Sequence, residues 1–189
     1  MALGVKTLIR KIIYAFTLAV LAAVTLPAVI GCASKPADIS ANTAVPQATP
    51  PPVTPAKLTA EDLKKLRWIE GTWRRTGVNQ PAFFERYRWE NDTTLAVDGF
   101  ADEKVDKVTE TTRFELKDGE FGGGSEGARY VATALDGNSI TFGPVIKARN
   151  WFVWKHESKD SWTAIIKPLS TPDKPKKDII YNMERWPKP

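Results

Sequence analysis

The sequence predicts an all-β domain, a small antiparallel barrel of about 8–10 strands entered through one short helix. Three observations carry that prediction. Short runs of alternating apolar and polar residues recur at even spacing from Trp68 to Trp186. The breaks between them hold turn chemistry: Asn91-Asp92, Lys117-Asp118-Gly119, Asp136-Gly137-Asn138 and Ser158-Lys159-Asp160. No long helical period separates the runs, which argues against βαβ units.

Taken in order, the domain begins near Lys57 and extends to Pro189. Leu58, Leu63 and Leu66 set an apolar face, Thr59 stands as N-cap and Asp62 completes a capping box, so one short helix is expected there. The strands expected after it are Trp68–Arg75, Phe83–Trp89, Thr94–Asp98, Val108–Leu116, Arg129–Leu135, Ser139–Pro144, Arg149–His156, Trp162–Pro168 and Ile179–Trp186. Lys117-Asp118-Gly119-Glu120 and Asp136-Gly137-Asn138 are hairpin signals, so most neighbours should be antiparallel. Phe121-Gly122-Gly123-Gly124-Ser125-Glu126-Gly127 lacks the Lys-Ser/Thr of a phosphate loop and no helix follows it. It is expected as a hairpin tip, a lid at the barrel mouth. Lys174-Pro175-Lys176-Lys177 reads as a solvated basic turn, with contact to anionic lipid or glycan as the lesser alternative.

Alternate side chains of a strand point to opposite faces. Phe83, Glu85, Tyr87 and Trp89 therefore share one face, opposite Phe84, Arg86 and Arg88. Phe152, Trp154 and His156 oppose Trp151, Val153 and Lys155, and Ile179, Tyr181, Met183 and Arg185 oppose Ile180, Asn182, Glu184 and Trp186. Aromatics on both faces imply a packed or ligand-lined interior and exterior patches covered by the helix or by a partner.

The front of the chain has a different character. Residues 1–31 carry Lys6, Arg10 and Lys11 and no acidic residue, and an apolar run extends from Ile12 to Ile30, broken only by Thr17, Thr25 and Pro27. That is the pattern of a secretory signal, although by length the run also suits a membrane-spanning anchor. Its end, Ala28-Val29-Ile30-Gly31-Cys32, resembles the lipobox of bacterial lipoproteins. The resemblance implies cleavage before Cys32, lipid on its thiol, and attachment of the mature chain to a membrane. Ala33 in place of aspartate implies, by the sorting pattern of enteric-type bacteria, the outer membrane facing the periplasm. Cys32 is the only cysteine, so the domain has no disulfide. Residues 33–56 are rich in Ala, Pro, Thr and Ser, with Pro36, Pro46, Pro50, Pro51, Pro52 and Pro55, and read as a disordered, semi-rigid tether without a core. Three segments result: a signal over 1–31, the lipidated cysteine and tether over 32–56, and the barrel over 57–189. Removing the signal's three cations from 27 basic and 22 acidic residues leaves 24 against 22, so the apparent +5 becomes +2. A balance that even gives no electrostatic case for nucleic acid.

Leu66-Arg67-Trp68-Ile69-Glu70-Gly71-Thr72-Trp73 resembles the opening of calycin-type barrels, a short helix followed by Gly-X-Trp on the first strand. The layout is similar to uncharacterised bacterial domains of lipocalin-like form (the DUF6265 type), through Glu85-Arg86-Tyr87-Arg88-Trp89 and a final strand ending in Arg185-Trp186. The resemblance implies that Trp73 packs across the closed end of the barrel against Arg185. This pairing is structural.

Chemistry-bearing residues are few. His156 is the single histidine and Cys32 precedes the domain, so a His/Cys zinc site is nearly excluded and no metal or cofactor is expected. No Gly-X-Ser-X-Gly elbow occurs. Glu85, set by parity among aromatics, is the polar residue of most interest: an inward carboxylate would have a raised pKa, while an ion pair with Arg113 or Arg74 is the plainer expectation. The first functional reading is a tethered barrel without catalysis that holds a small, largely apolar ligand, lined by Glu85, Tyr87, Trp89, Tyr130, Phe142, Trp154 and Trp162. The second is an accessory envelope lipoprotein with a filled core that acts through a protein partner. The third is a calycin-type enzyme using Glu85 or His156.

Overall fold

The computed structural model describes residues 53–77, 82–124, 127–146, 148, 150–169 and 176–187. The signal, Cys32, most of the tether, and Lys174 and Pro175 of the basic turn lie outside the described residues. The domain opens with α1 (Ala60–Leu63), whose capping box is formed as the sequence implies. The Thr59 hydroxyl accepts from the Asp62 amide at 3.2 Å, and the Thr59 amide donates back to Asp62 at 3.0 Å. A 3-10 turn over Lys64–Ile69 continues it. Leu63, Leu66 and Ile69 are all buried, and their three-residue spacing matches a helix in which i and i+3 eclipse.

Ten antiparallel strands follow: β1 (Gly71–Thr76), β2 (Phe84–Asn91), β3 (Thr94–Phe100), β4 (Val108–Lys117), β5 (Glu120–Gly123), β6 (Arg129–Leu135), β7 (Ser139–Ile146), β8 (Asn150–Ser158), β9 (Ser161–Pro168) and β10 (Ile179–Arg185). Each pairs with its sequence neighbour, and β1 pairs with β10 to close the barrel. The fold class is thus the one the alternation predicts.

The differences in detail have local causes. The first strand starts at Gly71 because Trp68 and Ile69 belong to the 3-10 turn that plugs the barrel. The glycine run begins inside β5, with Phe121 wholly buried, while Ser125 and Glu126 lie outside the described residues. A Cβ on Gly122 would collide with the Tyr130 carbonyl and one on Gly123 with the Arg113 carbonyl. Those glycines let three backbones approach, so the lid expected there is overturned by strand pairing on both sides. The Asp118-Gly119 turn has φ +53° and +80°, the primed geometry that Asp-Gly favours in a two-residue hairpin. At the β6–β7 turn the Asp136 carboxylate accepts from the amides of Asn138 (2.7 Å) and Ser139 (2.6 Å). These bonds hold its pKa below the usual value.

The core is the barrel interior. Trp73, Phe83, Tyr87, Phe114, Phe121, Tyr130, Phe142, Phe152, Trp154 and Trp162 form one cluster there with the aliphatic residues of the helical entry.

Candidate functional site

The barrel has two unlike ends. One holds the start of β1, the helical entry and the β8–β9 turn, and Arg185 locks it. Its guanidinium sits 4.2 Å from the centroid of Trp73 and donates to the carbonyls of Glu70 at 3.3 Å and Lys159 at 2.9 and 3.1 Å. The Trp73 indole donates to the Ile69 carbonyl at 2.6 Å. Gly71 has φ +129°, and a Cβ there would strike the Arg185 guanidinium. The Gly-X-Trp motif therefore has a physical reason in this chain: glycine admits both the backbone angle and the arginine. The structure brings Trp73 and Arg185 together as the calycin resemblance implies.

From this closed end a ladder of rings climbs the interior: Trp68 to Trp162 at 6.3 Å, Trp162 to Trp154 at 6.2 Å, Trp154 to Phe142 at 5.0 Å, Phe142 to Phe152 at 4.6 Å, and Phe152 to Tyr130 at 4.9 Å. Tyr87 meets Trp154 and Trp162 edge-on at 5.6 and 5.5 Å. Such pairs contribute about 0.5–1.5 kcal/mol each beyond area burial. Of the expected lining residues, Tyr130 stands at the other end, the mouth, so called for its place opposite the helical plug, and Tyr87, Phe142 and Trp154 lie at mid-depth. Trp162 lies in the closed end beside Trp73. Trp89 is there too, stacked on Phe121 at 6.2 Å beneath the Arg67 guanidinium at 4.6 Å. His156 is also at the closed end, stacked on Trp68 at 5.1 Å.

Glu85 is fully buried and faces inward, in phase with Phe83 and Tyr87. It accepts a hydrogen bond from the Tyr87 hydroxyl at 2.8 Å. Burial drives the Tyr87 pKa well above its ordinary value, and the charge and hydrogen bond of Glu85 push it the same way. Tyr87 is thus a neutral donor throughout the physiological range. The ion pair expected between Glu85 and Arg113 or Arg74 is not formed. Both arginines alternate to the outside, where Arg113 pairs with Glu90 at 2.9 Å and Arg74 with Glu184 at 3.3 Å.

The mouth holds polar residues that the motif search passed over. Arg75, in phase with Trp73, is buried with its guanidinium 4.7 Å from the Tyr181 ring and 5.7 Å from Phe83. Burial lowers its pKa, offset in part by Tyr181. Asn150, in phase with Phe152 and Trp154, is 2% exposed and accepts from the Tyr130 hydroxyl at 3.0 Å. Burial raises the Tyr130 pKa to about 12, against the opposing effect of that bond. Among the described residues the Asn150 Nδ2 has no hydrogen-bond partner. Turning the amide over leaves one of its polar atoms unsatisfied all the same. Parity was the available signal: extending the face assignment to β1 and to the first residue of β8 places both residues inward.

The indole nitrogens of Trp154 and Trp162 are likewise buried without an acceptor. An unsatisfied buried amide such as that of Asn150 costs about 1–3 kcal/mol. Among the described residues no three His, Cys, Asp or Glu side chains gather as a metal site. No protein-family model matches the chain, and no curated protein matches it in sequence.

Proposed function

We propose that this protein is a lipid-anchored envelope protein, held through Cys32, whose barrel takes a small, largely apolar ligand through the mouth bounded by Tyr130, Asn150, Phe83 and Tyr181. The anchor rests on the lipobox resemblance and on a tether without core-forming residues; Ala33 favours the outer membrane, facing the periplasm. Kinship with the lipocalin-like bacterial domains rests on the Gly-X-Trp opening and the Arg185-Trp186 ending, to which the barrel is a fitting frame.

The observation that carries the ligand reading is the buried Asn150 amide. Native proteins satisfy nearly all such groups. A ligand with an apolar body and a polar atom at its mouth end would satisfy this one, against the ring faces of Tyr130 and Phe152.

Native mass spectrometry of the protein purified from its own host tests this. A bound mass that leaves on denaturation, and that an Asn150→Leu variant retains poorly, is the expected result. A clean apo mass from both would sink the ligand reading.

The second reading, an accessory protein acting through its surface, draws on the ring ladder. Contacts of 4.6–5.0 Å along Trp154, Phe142, Phe152 and Tyr130 are those of a filled core on that side of the barrel. Under it, a partner protein should co-purify where no small molecule does.

A further inference from the structure

The outer wall at the mouth end of β7–β10 has the composition of a membrane-contact surface. Among the described residues, Val108, Val145, Ile146 and Ile180 are the exposed large aliphatics, 45–57% accessible. All four sit on strand ends at the mouth: Val145 and Ile146 at the end of β7 and Ile180 at the start of β10 belong to this wall, and Val108, at the start of β4, stands across the barrel from it. Single exposed aliphatics need no explanation, but confinement to one rim does. Register extends the patch. Val153 pairs with Ile165 and Ile165 with Ile180, which sets three branched aliphatics in a row across the outside of β8, β9 and β10. Trp151 lies two residues before Val153 on the same face, opposite Lys167. Among the described residues, exposed Lys167, Lys176 and Lys177 border the row, with Asp178 as the acid beside them. The other side of the mouth, Ala101–Lys107, mixes Asp102, Glu103 and Asp106 with two lysines.

The path of the entering chain points the same way. Leu58 donates to the Gly119 carbonyl at 2.8 Å near the closed end, and Ala56 donates to Ala132 at 2.8 Å beside the β6 bulge. Further back, Val53 rests on the wall at Gly143: a Cβ placed there would lie 2.7 Å from Val53 Cγ1 and 2.9 Å from Trp151 Cζ3. Followed backward from Leu58 to Val53, the chain climbs from the closed end toward the mouth and reaches Trp151. Val53 is 53 − 32 = 21 residues from Cys32.

We infer that the β7–β10 side of the mouth docks on an anionic lipid bilayer, the one to which the chain is tethered. Aliphatic side chains, a tryptophan and lysines on one face are what an interfacial surface requires. Val53, at the domain end of the tether, lies against that face, 21 residues from Cys32. The mouth then opens at the lipid surface, and an apolar ligand passes between bilayer and barrel without crossing bulk water. This inference rests on the lipid-anchor reading for its choice of membrane.

The test uses the full mature chain on vesicles of phosphatidylethanolamine with phosphatidylglycerol, and on phosphatidylcholine alone. A spin label at Ile180→Cys reports the docking face, and one at Lys117→Cys, at the closed end, serves as reference. On the anionic vesicles the Ile180 label should be several-fold more accessible to oxygen, and less to a water-soluble nickel complex, than the Lys117 label. A Lys167→Glu, Lys176→Glu, Lys177→Glu variant should abolish the difference. Equal aqueous exposure of the two labels overturns the docking face. Dipolar coupling between Ile180 labels on two copies assigns the face to self-association and overturns it as well. The intact mass separates the two readings. A lipidated Cys32 with Ile180 in water leaves the anchor and removes the docking face. An unlipidated chain with Ile180 immersed does the reverse.

Discussion

The two ends of the barrel treat their polar groups differently. At the closed end the Arg185 guanidinium serves two backbone carbonyls and a ring, and the Trp73 indole serves a third carbonyl. Those bonds finish the protein's own structure, although the indole nitrogens of Trp68, Trp89 and Trp162 at the same end have no hydrogen-bond partner among the described residues. At the mouth, Arg75 and Asn150 are drawn inside among Phe83, Tyr181 and Phe152, and the Asn150 amide is left with an atom unsatisfied. On the proposed ligand reading, the contrast separates stability from binding. Damage at the closed end should be read in unfolding, and damage at the mouth in what the protein retains.

The largest effect is expected from Trp73→Ala. It removes a fully buried ring that meets Trp162 at 6.2 Å, so urea unfolding should show a loss of about 3–5 kcal/mol. Next come Gly71→Ala and Arg185→Met, each expected to cost about 2 kcal/mol, the first by backbone strain and the second by loss of the cation–π contact and carbonyl bonds. A methyl on Gly71 already displaces Arg185, so the double variant should lose clearly less than the sum. Additive losses would show that the two residues are not one device.

At the mouth, Tyr130→Phe should cost only about 1 kcal/mol. Combined with Asn150→Leu, which removes both partners, stability should recover toward the wild type while any co-purifying ligand is lost. Retention of the ligand by that double variant would move the binding site away from the mouth.

The smallest effect concerns acid. Burial pushes the Asp98 pKa up, but hydrogen bonds from Arg88 (2.8 Å) and Thr111 (2.6 Å) and the charge of Arg88 outweigh it, and the carboxyl titrates below its usual 3.8. A carboxyl depressed by folding stabilises the native state above its unfolded pKa, and that contribution fades as pH falls through the folded one. Acid unfolding of Asp98→Asn should therefore have a shallower limb below pH 3.8 than the wild type. Identical limbs would remove Asp98 from the acid response.

Much of the fold was legible because its information is local. Alternation with a period of two located nine of the strands, and Asp118-Gly119 and Asp136-Gly137-Asn138 placed two turns by their own chemistry. β5 was hidden because three of its neighbouring positions are glycines, which leave no side-chain pattern to read. Trp68 and Ile69 were assigned to a strand because an apolar pair is ambiguous until its neighbours' spacing is followed back to Leu63 and Leu66. Glu85 was correctly placed inward by parity, yet its arginine partners were not, since charge matching was applied without asking which face Arg74 and Arg113 occupy.

The sequence by itself determined the antiparallel character, the helical cap with its Thr59–Asp62 box and the Gly71-X-Trp73 motif. Each is settled by residues close together in the chain. Only the tertiary structure decided that β1 meets β10, that Arg185 closes over Trp73, and that Asn150 and Tyr130 share the mouth while Trp89 and Trp162 line the other end. Depth along a barrel axis is set by strand tilt and register accumulated around the closed sheet. No single strand carries that information.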